Sequence, residues 1–157
     1  DIFWTKKGGY CPQKVGDQNG EMVNLCRAVC GRKPDYLIIH VGTNSLFPHQ
    51  DESNAEQEPP TAEQVANGIK LLYQTVTNEF PGVKVFLPLL VVRGDYGEEG
   101  LHSINQVNRL VQSCNLPHIS HDNITEEHLN SGKQHLNTAG SKILAKNYID
   151  FMRNLGA

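Results

Sequence analysis

The stretch Tyr36-Leu37-Ile38-Ile39-His40-Val41-Gly42-Thr43-Asn44 decides the fold class. Its first six residues form a nearly continuous apolar run between Pro34 and Gly42. A strand without polar alternation is one covered on both faces, as in a parallel sheet. The Gly-Thr-Asn after it places a tight turn and an amide side chain just beyond the strand. That is where open parallel sheets bind their ligands.

Outward from this strand, strands and helices alternate. Upstream, Asp1 to Thr5 is short, aromatic and β-branched, and reads as a strand. Lys6 to Gly20 reads as loop. Met22, Val23, Cys26, Val29 and Cys30 then recur at helical spacing, with Gly31 as the stop. Downstream, Phe47 to Pro60 is acidic and turn-rich; its Asp51, Glu52, Glu56 and Glu58 read as a solvated loop. Thr61 opens a helix with a capping signal, Glu63 and Gln64, and an inner stripe of Val65, Ile69, Leu72 and Val76. Val83 to Val91 reads as a second buried strand and Gly94 to Gly100 as a loop. Ile104, Val107, Leu110 and Val111 line the next helix. Ile119 marks a short last strand, Asp122 to Leu136 a polar loop, and Thr138 to Leu155 a final helix. The inner stripe of that helix is Ile143, Leu144, Tyr148, Ile149 and Met152. Such alternation implies helices on both faces of a parallel sheet.

Composition narrows the classes of function. A chain of 157 residues fits one domain able to bury a core, and the span 1–157 is read as a single domain. A net charge of −3, with Lys and Arg scattered, disfavours nucleic acid as a partner, since phosphate binding needs a basic face. No run approaches the roughly 20 apolar residues of a membrane span.

Chemistry concentrates in two segments. After the Tyr36–Val41 strand, Asn44 is an amide donor suited to stabilising an oxyanion. In His135-Leu136-Asn137-Thr138-Ala139-Gly140, a histidine just before the last helix is suited to general-base work. Each has a plainer reading: Asn44 as a turn-capping amide, His135 as an exposed loop histidine. His118, His121, His128 and His135 recur along one loop, but their spacing is not that of a zinc site, and no metal or cofactor is implied.

Together the two segments resemble the SGNH (GDSL-type) hydrolase family, whose third block reads Gly-x-Asn and whose fifth carries the catalytic histidine. The likeness runs from Gly8-Gly9 to the last helix. It is nearest to SGNH-like domains of retroelement-associated animal proteins, through Pro34 to Asn44, Phe80-Pro81 and the His-Leu-Asn followed by glycine. The resemblance implies a three-layer, flavodoxin-like α/β fold, with Asn44 and Gly9 (or Gly8) as oxyanion donors, His135 as base, and a ligand site at Gly8, Gly42, Thr43, Asn44 and His135. Two departures stand against activity. No Gly-Asp-Ser block is present, so the first central strand and its serine are expected to be missing from the chain. The acid expected three residues before the histidine is replaced by Gly132. Ser45 lies in the oxyanion turn and is a poor substitute.

The resulting expectation is a degenerate site that binds a small molecule, glycan or acyl ester without turning it over. Two alternatives stand beside it: an ester hydrolase completed by a Ser-bearing segment, and a retroelement-derived assembly module. A second chain or second copy is the expected source of the missing strand. Cys11, Cys26, Cys30 and Cys114 read equally as buried free thiols or, in an oxidising compartment, as two bridges, with Cys11–Cys30 and Cys26–Cys114 preferred. The sequon at Asn123 is a further glycosylation candidate, and the compartment stays open with a slight lean to secretion.

Overall fold

The computed structural model describes residues 21–47 and 60–156. The expected strand at Asp1–Thr5, the glycines Gly8 and Gly9, Cys11 and the acidic loop residues Asp51, Glu52, Glu56 and Glu58 lie outside the described residues. The described elements are α1 (Glu21–Cys30), β1 (Tyr36–Ile38), α2 (Thr43–Leu46), α3 (Ala62–Glu79), β2 (Lys84–Pro88), α4 (Gly97–Ser113), β3 (His118–Ile119) and α5 (Thr138–Asn154), with a 3-10 turn at Glu126–His128 before α5.

The three strands form a parallel sheet in the order β1-β2-β3, in the register Leu37 opposite Val85 and Pro88 opposite Ile119. Helical crossovers, α3 and then α4, join successive strands. Side chains alternate along a strand, and β2 uses both faces. Val85 and Leu87 enter the main core with Val23, Leu72, Val76, Ile104 and Val107, from α1, α3 and α4. Phe86 points the other way and meets Phe151 of α5 edge-on, ring centroids 4.9 Å apart. The result is three layers, with α5 alone among the described helices packing on the second face.

Leu72, Leu87 and Ile104 are the largest fully buried side chains. Each removes enough apolar surface from water to contribute about 1.5–3 kcal/mol. At the N-terminus of α3, Thr61 accepts from the Gln64 amide while the Gln64 side chain accepts from the Thr61 amide. This reciprocal cap fixes where the crossover begins. Arg27 of α1 grips Glu79 of α3 through two nitrogens, at 2.7 and 2.6 Å.

Four expectations need correction. The strands are shorter than their apolar runs, because the parallel ladder stops near Ile39 and Pro88 while the chains continue as extended coil. The loop expected at Gly94–Gly100 is already helical from Gly97, which enters with φ +60°. Two glycines of low helix propensity, Gly97 and Gly100, hide that start. On α5, Ile149 is exposed rather than part of the inner stripe, and Phe151 takes its place against the sheet. Cys26 and Cys114 are free thiols, and the physical reason is separation: Cys26 is buried where α1 packs on α3, while Cys114 is exposed beyond the end of α4. Cys30 is likewise a free thiol.

Candidate functional site

Three loops gather at the carboxyl end of the sheet, and each is held by its own sequence. After β1, Gly42 turns the chain into α2 with φ +121°, and a Cβ there would stand 3.0 Å from Ile69 Cδ1. Only glycine meets both conditions. The turn leaves Asn44 exposed and buries Ser45 at 4% exposure. Thr43, half-buried, starts the short helix.

The second segment, around His135, is a looped hairpin. Asn130 N–H donates to the His135 carbonyl at 2.7 Å, and Asn130 Oδ1 accepts from the Gln134 and His135 amides. Asn137 does three jobs: Oδ1 caps α5 at the Gly140 amide, and Nδ2 donates to the carbonyls of Glu127 and Leu129. Gly140 packs so closely that an added Cβ would lie 2.4 Å from the His128 carbonyl oxygen. The Asn and Gly of the His-Leu-Asn-x-x-Gly motif therefore shape the loop. The His135 side chain itself is exposed.

Arg93, not singled out by sequence reasoning, joins the two segments. Its Nε and Nη2 donate to Asp95 at 2.6 and 2.8 Å, and the Arg93 side chain is only 7% exposed. The guanidinium also lies 5.2 Å from the Phe47 ring centroid and 5.1 Å from that of Tyr96, rings that stack on each other at 4.5 Å. Phe47 ends α2, one turn beyond Asn44. On the other side, hydrogen bonds from Arg93 and then its charge, with help from Gln134, hold the Asp95 carboxyl below its ordinary value. The Gly94 amide donates to the Lys133 carbonyl at 2.9 Å. One buried ion pair thus ties the Asn44 segment to the residue preceding His135. The sequence signal was an Arg-Gly-Asp between a buried strand and a helix, indistinguishable from loop polarity.

A second polar group was also missed. The Tyr148 hydroxyl lies 2.7 Å from His40 Nδ1, and the His40 and His121 ring centroids are 5.6 Å apart. Burial pushes the Tyr148 phenol up, so it remains neutral and donates. Burial, then the neighbouring His121, pushes His40 down; burial also lowers His121, against the pull of Asp122. His40 keeps exposed surface although protein crowds its ring. The other recurring histidines do not converge: His118 Nδ1 lies 2.9 Å from the Leu116 carbonyl oxygen and His128 Nδ1 accepts from the Thr125 amide. No group of three metal-ligating side chains occurs among the described residues.

No protein-family model and no curated sequence matches the chain. Solved structures do. A carbohydrate esterase family 3 protein from Talaromyces cellulolyticus superposes with TM-score 0.64 at 18% identity, over 94% of this chain and 70% of that one. The fold is that of the SGNH-type esterases. An acetyl esterase mutant with acetate ion matches at TM-score 0.63 and 16% identity, over 94% of this chain and 72% of that one. A catalytic mutant of an acetylxylan esterase from Geobacillus stearothermophilus matches at TM-score 0.62 and 18% identity, over 88% of this chain and 67% of that one. These likenesses show the fold. At such identities they carry the fold and not the residues.

Proposed function

We propose that the SGNH-type domain binds an acyl ester or acylated glycan at its carboxyl-edge cleft and, with the described residues alone, does not turn it over. The observation that carries the reading is the loop around His135. The position three residues before it, where an orienting acid is expected, is Gly132, and the loop amides are held by the neutral Asn130 side chain instead. A base whose ring is not oriented by a carboxylate loses most of its advantage. Ser45, the hydroxyl next to Asn44, is buried in the turn. In this reading Asn44, Thr43 and Gly42, with Gly8 or Gly9, supply donors to a carbonyl oxygen, and His135 contributes a polar contact.

A second reading, ester hydrolysis with a serine from a segment outside the described residues or from a second chain, is favoured by the esterase neighbours. The retroelement-type resemblance adds a third, an assembly module, with no separate observation behind it. The test is p-nitrophenyl acetate hydrolysis by the 157-residue chain beside its His135→Ala variant, with intact-mass analysis after a fluorophosphonate probe. Equal background rates and an unchanged mass are expected. Stoichiometric labelling of any serine overturns the proposal in favour of the hydrolase.

A further inference from the structure

Between the Asn44 turn and the His135 loop, one aromatic side chain stands outside the core. Tyr96, the residue at the start of α4, is 46% exposed, whereas its neighbour Phe47 is 6% exposed. The Tyr96 ring is nevertheless fixed. It stacks on Phe47 with centroids 4.5 Å and planes 21° apart, and the buried Arg93 guanidinium lies 5.1 Å from its centroid. Gly100 makes room for the stack: a Cβ there would stand 2.5 Å from Tyr96 Cβ and 3.5 Å from the Phe47 ring. Phe47 is the only aromatic partner of Tyr96 among the described residues, so the outer face of the ring is open. A scattered exposed apolar side chain needs no explanation. One whose rotamer is already locked differs, because a ligand that lands on it immobilises nothing further.

The stack is wired to both segments of the cleft. The Phe47 amide donates to the Thr43 carbonyl at 3.0 Å, one hydrogen bond from the turn that carries Asn44. On the other side, Arg93 leads through Asp95 to Gln134, beside His135.

The surroundings select the ligand. An aromatic face is the negative end of the ring quadrupole and attracts polarised C–H groups. Glu98 and Glu99, exposed in the first turn of α4, offer acceptors for hydroxyl groups and repel anions. The one guanidinium at the stack is committed to Asp95 through two nitrogens and is not free to bind an anion. A pyranose meets these conditions: axial C–H groups for the ring and hydroxyl donors around its rim.

We propose that Tyr96 is the sugar platform of the carboxyl-edge cleft, its outer face taking the C–H face of a neutral pyranose whose acyl group points to the Asn44 turn. The proposal rests on the ester-binding reading above and selects an acylated glycan over a simple acyl ester.

The experiment follows the Tyr96 ring signals and the Thr43 and Asn44 amides of the full chain by NMR. Methyl β-D-glucopyranoside is expected to shift Tyr96 saturably, ethyl acetate the two amides, and methyl 6-O-acetyl-β-D-glucopyranoside all three. Tyr96→Leu, which keeps apolar cover over Phe47 but removes the ring face, is expected to weaken both glucosides about tenfold and leave ethyl acetate unaffected. Tyr96→Phe is expected to retain their binding. A Tyr96 that ignores the glucoside while the amides answer ethyl acetate overturns the platform alone. Amides that ignore ethyl acetate fail the ester-binding reading, and the proposal with it. Undiminished glucoside binding in Tyr96→Leu, or tighter binding of methyl β-D-glucuronide or benzyl alcohol than of the glucoside, also overturns it.

Discussion

Arg93 and Asp95, two residues apart, clasp each other through two hydrogen bonds, and each also holds a different motif segment. Arg93 lies against the aromatic ring that ends α2, while Asp95 reaches the residue before His135. The pair is therefore a joint between loops rather than an ornament of one loop. Removing Arg93 leaves a poorly solvated carboxylate, a loss of about 3–5 kcal/mol for buried pairs. Arg93→Ala is expected to lower the denaturant midpoint strongly and to raise amide exchange at both 43–47 and 130–136. Destabilisation without increased exchange in the second segment would show that the joint does not reach His135. The Asp95 carboxyl is depressed in the fold, so its stabilisation is complete above the ordinary aspartate value. It is lost as pH falls through the lower folded value.

Gly140→Ala and Asn137→Ala test the shaping of the histidine loop. At Gly140 the obstacle is a backbone oxygen, which cannot swing aside as a side chain does. A loss above about 2 kcal/mol is expected. Asn137→Ala removes a cap and two further bonds and is expected to cost about 1–2 kcal/mol. Chemical denaturation of both variants checks the order, with Gly140→Ala the more damaging.

Below neutrality the histidine pair governs stability. His40 and His121 have folded values below the ordinary histidine value, so the unfolded chain binds more protons as pH falls from that value downward. Stability is therefore expected to decline with falling pH across this window, and His121→Asn to flatten the decline. Urea midpoints measured between neutrality and mild acid check it; a pH-independent midpoint in the parent chain would remove the effect.

The thiols should separate by reactivity. Burial, then the neighbouring Cys30, pushes the Cys26 thiol up to about 12, leaving almost no thiolate at neutral pH. Cys114 is exposed. Native iodoacetamide treatment is expected to modify Cys114 quickly and Cys26 only after denaturation. Peptide mapping of a timed reaction distinguishes them.

Helix positions were legible because the apolar stripes of α1, α3 and α4 match the buried residues at Val23, Cys26, Val65, Ile69, Leu72, Ile104 and Val107. The cap at Thr61 was legible for the same local reason: its partners lie within one turn. What escaped were relationships between distant residues. Arg93 meets Phe47 from beyond a whole helix and strand, in a contact no periodicity encodes, and Tyr148 meets His40 across the sheet. Asn44 and His135 were singled out from motif shape, and both are exposed, at the carboxyl edge and in the loop before α5. Asn123, a candidate glycan acceptor by its sequon, is exposed, and its side-chain nitrogen donates to Asn147. The pairing of two amides 24 residues apart leaves no trace in a sequon.

Asn108 of α4 gives its oxygen to the Leu90 amide at 2.7 Å and its nitrogen to the Leu90 carbonyl at 3.0 Å. These are the two groups that a neighbouring strand would otherwise engage, just past the point where the β1–β2 ladder ends. A single side chain thus acts as a one-residue surrogate strand. It also indexes the helix against the sheet. Sliding α4 by one residue, or rotating it by one position, would orphan both backbone groups at once, so slippage costs two hydrogen bonds on top of the apolar packing of Ile104, Val107 and Val111. An insertion within α4 before Asn108 should consequently cost more than one placed beyond Val111, the last buried residue of the helix.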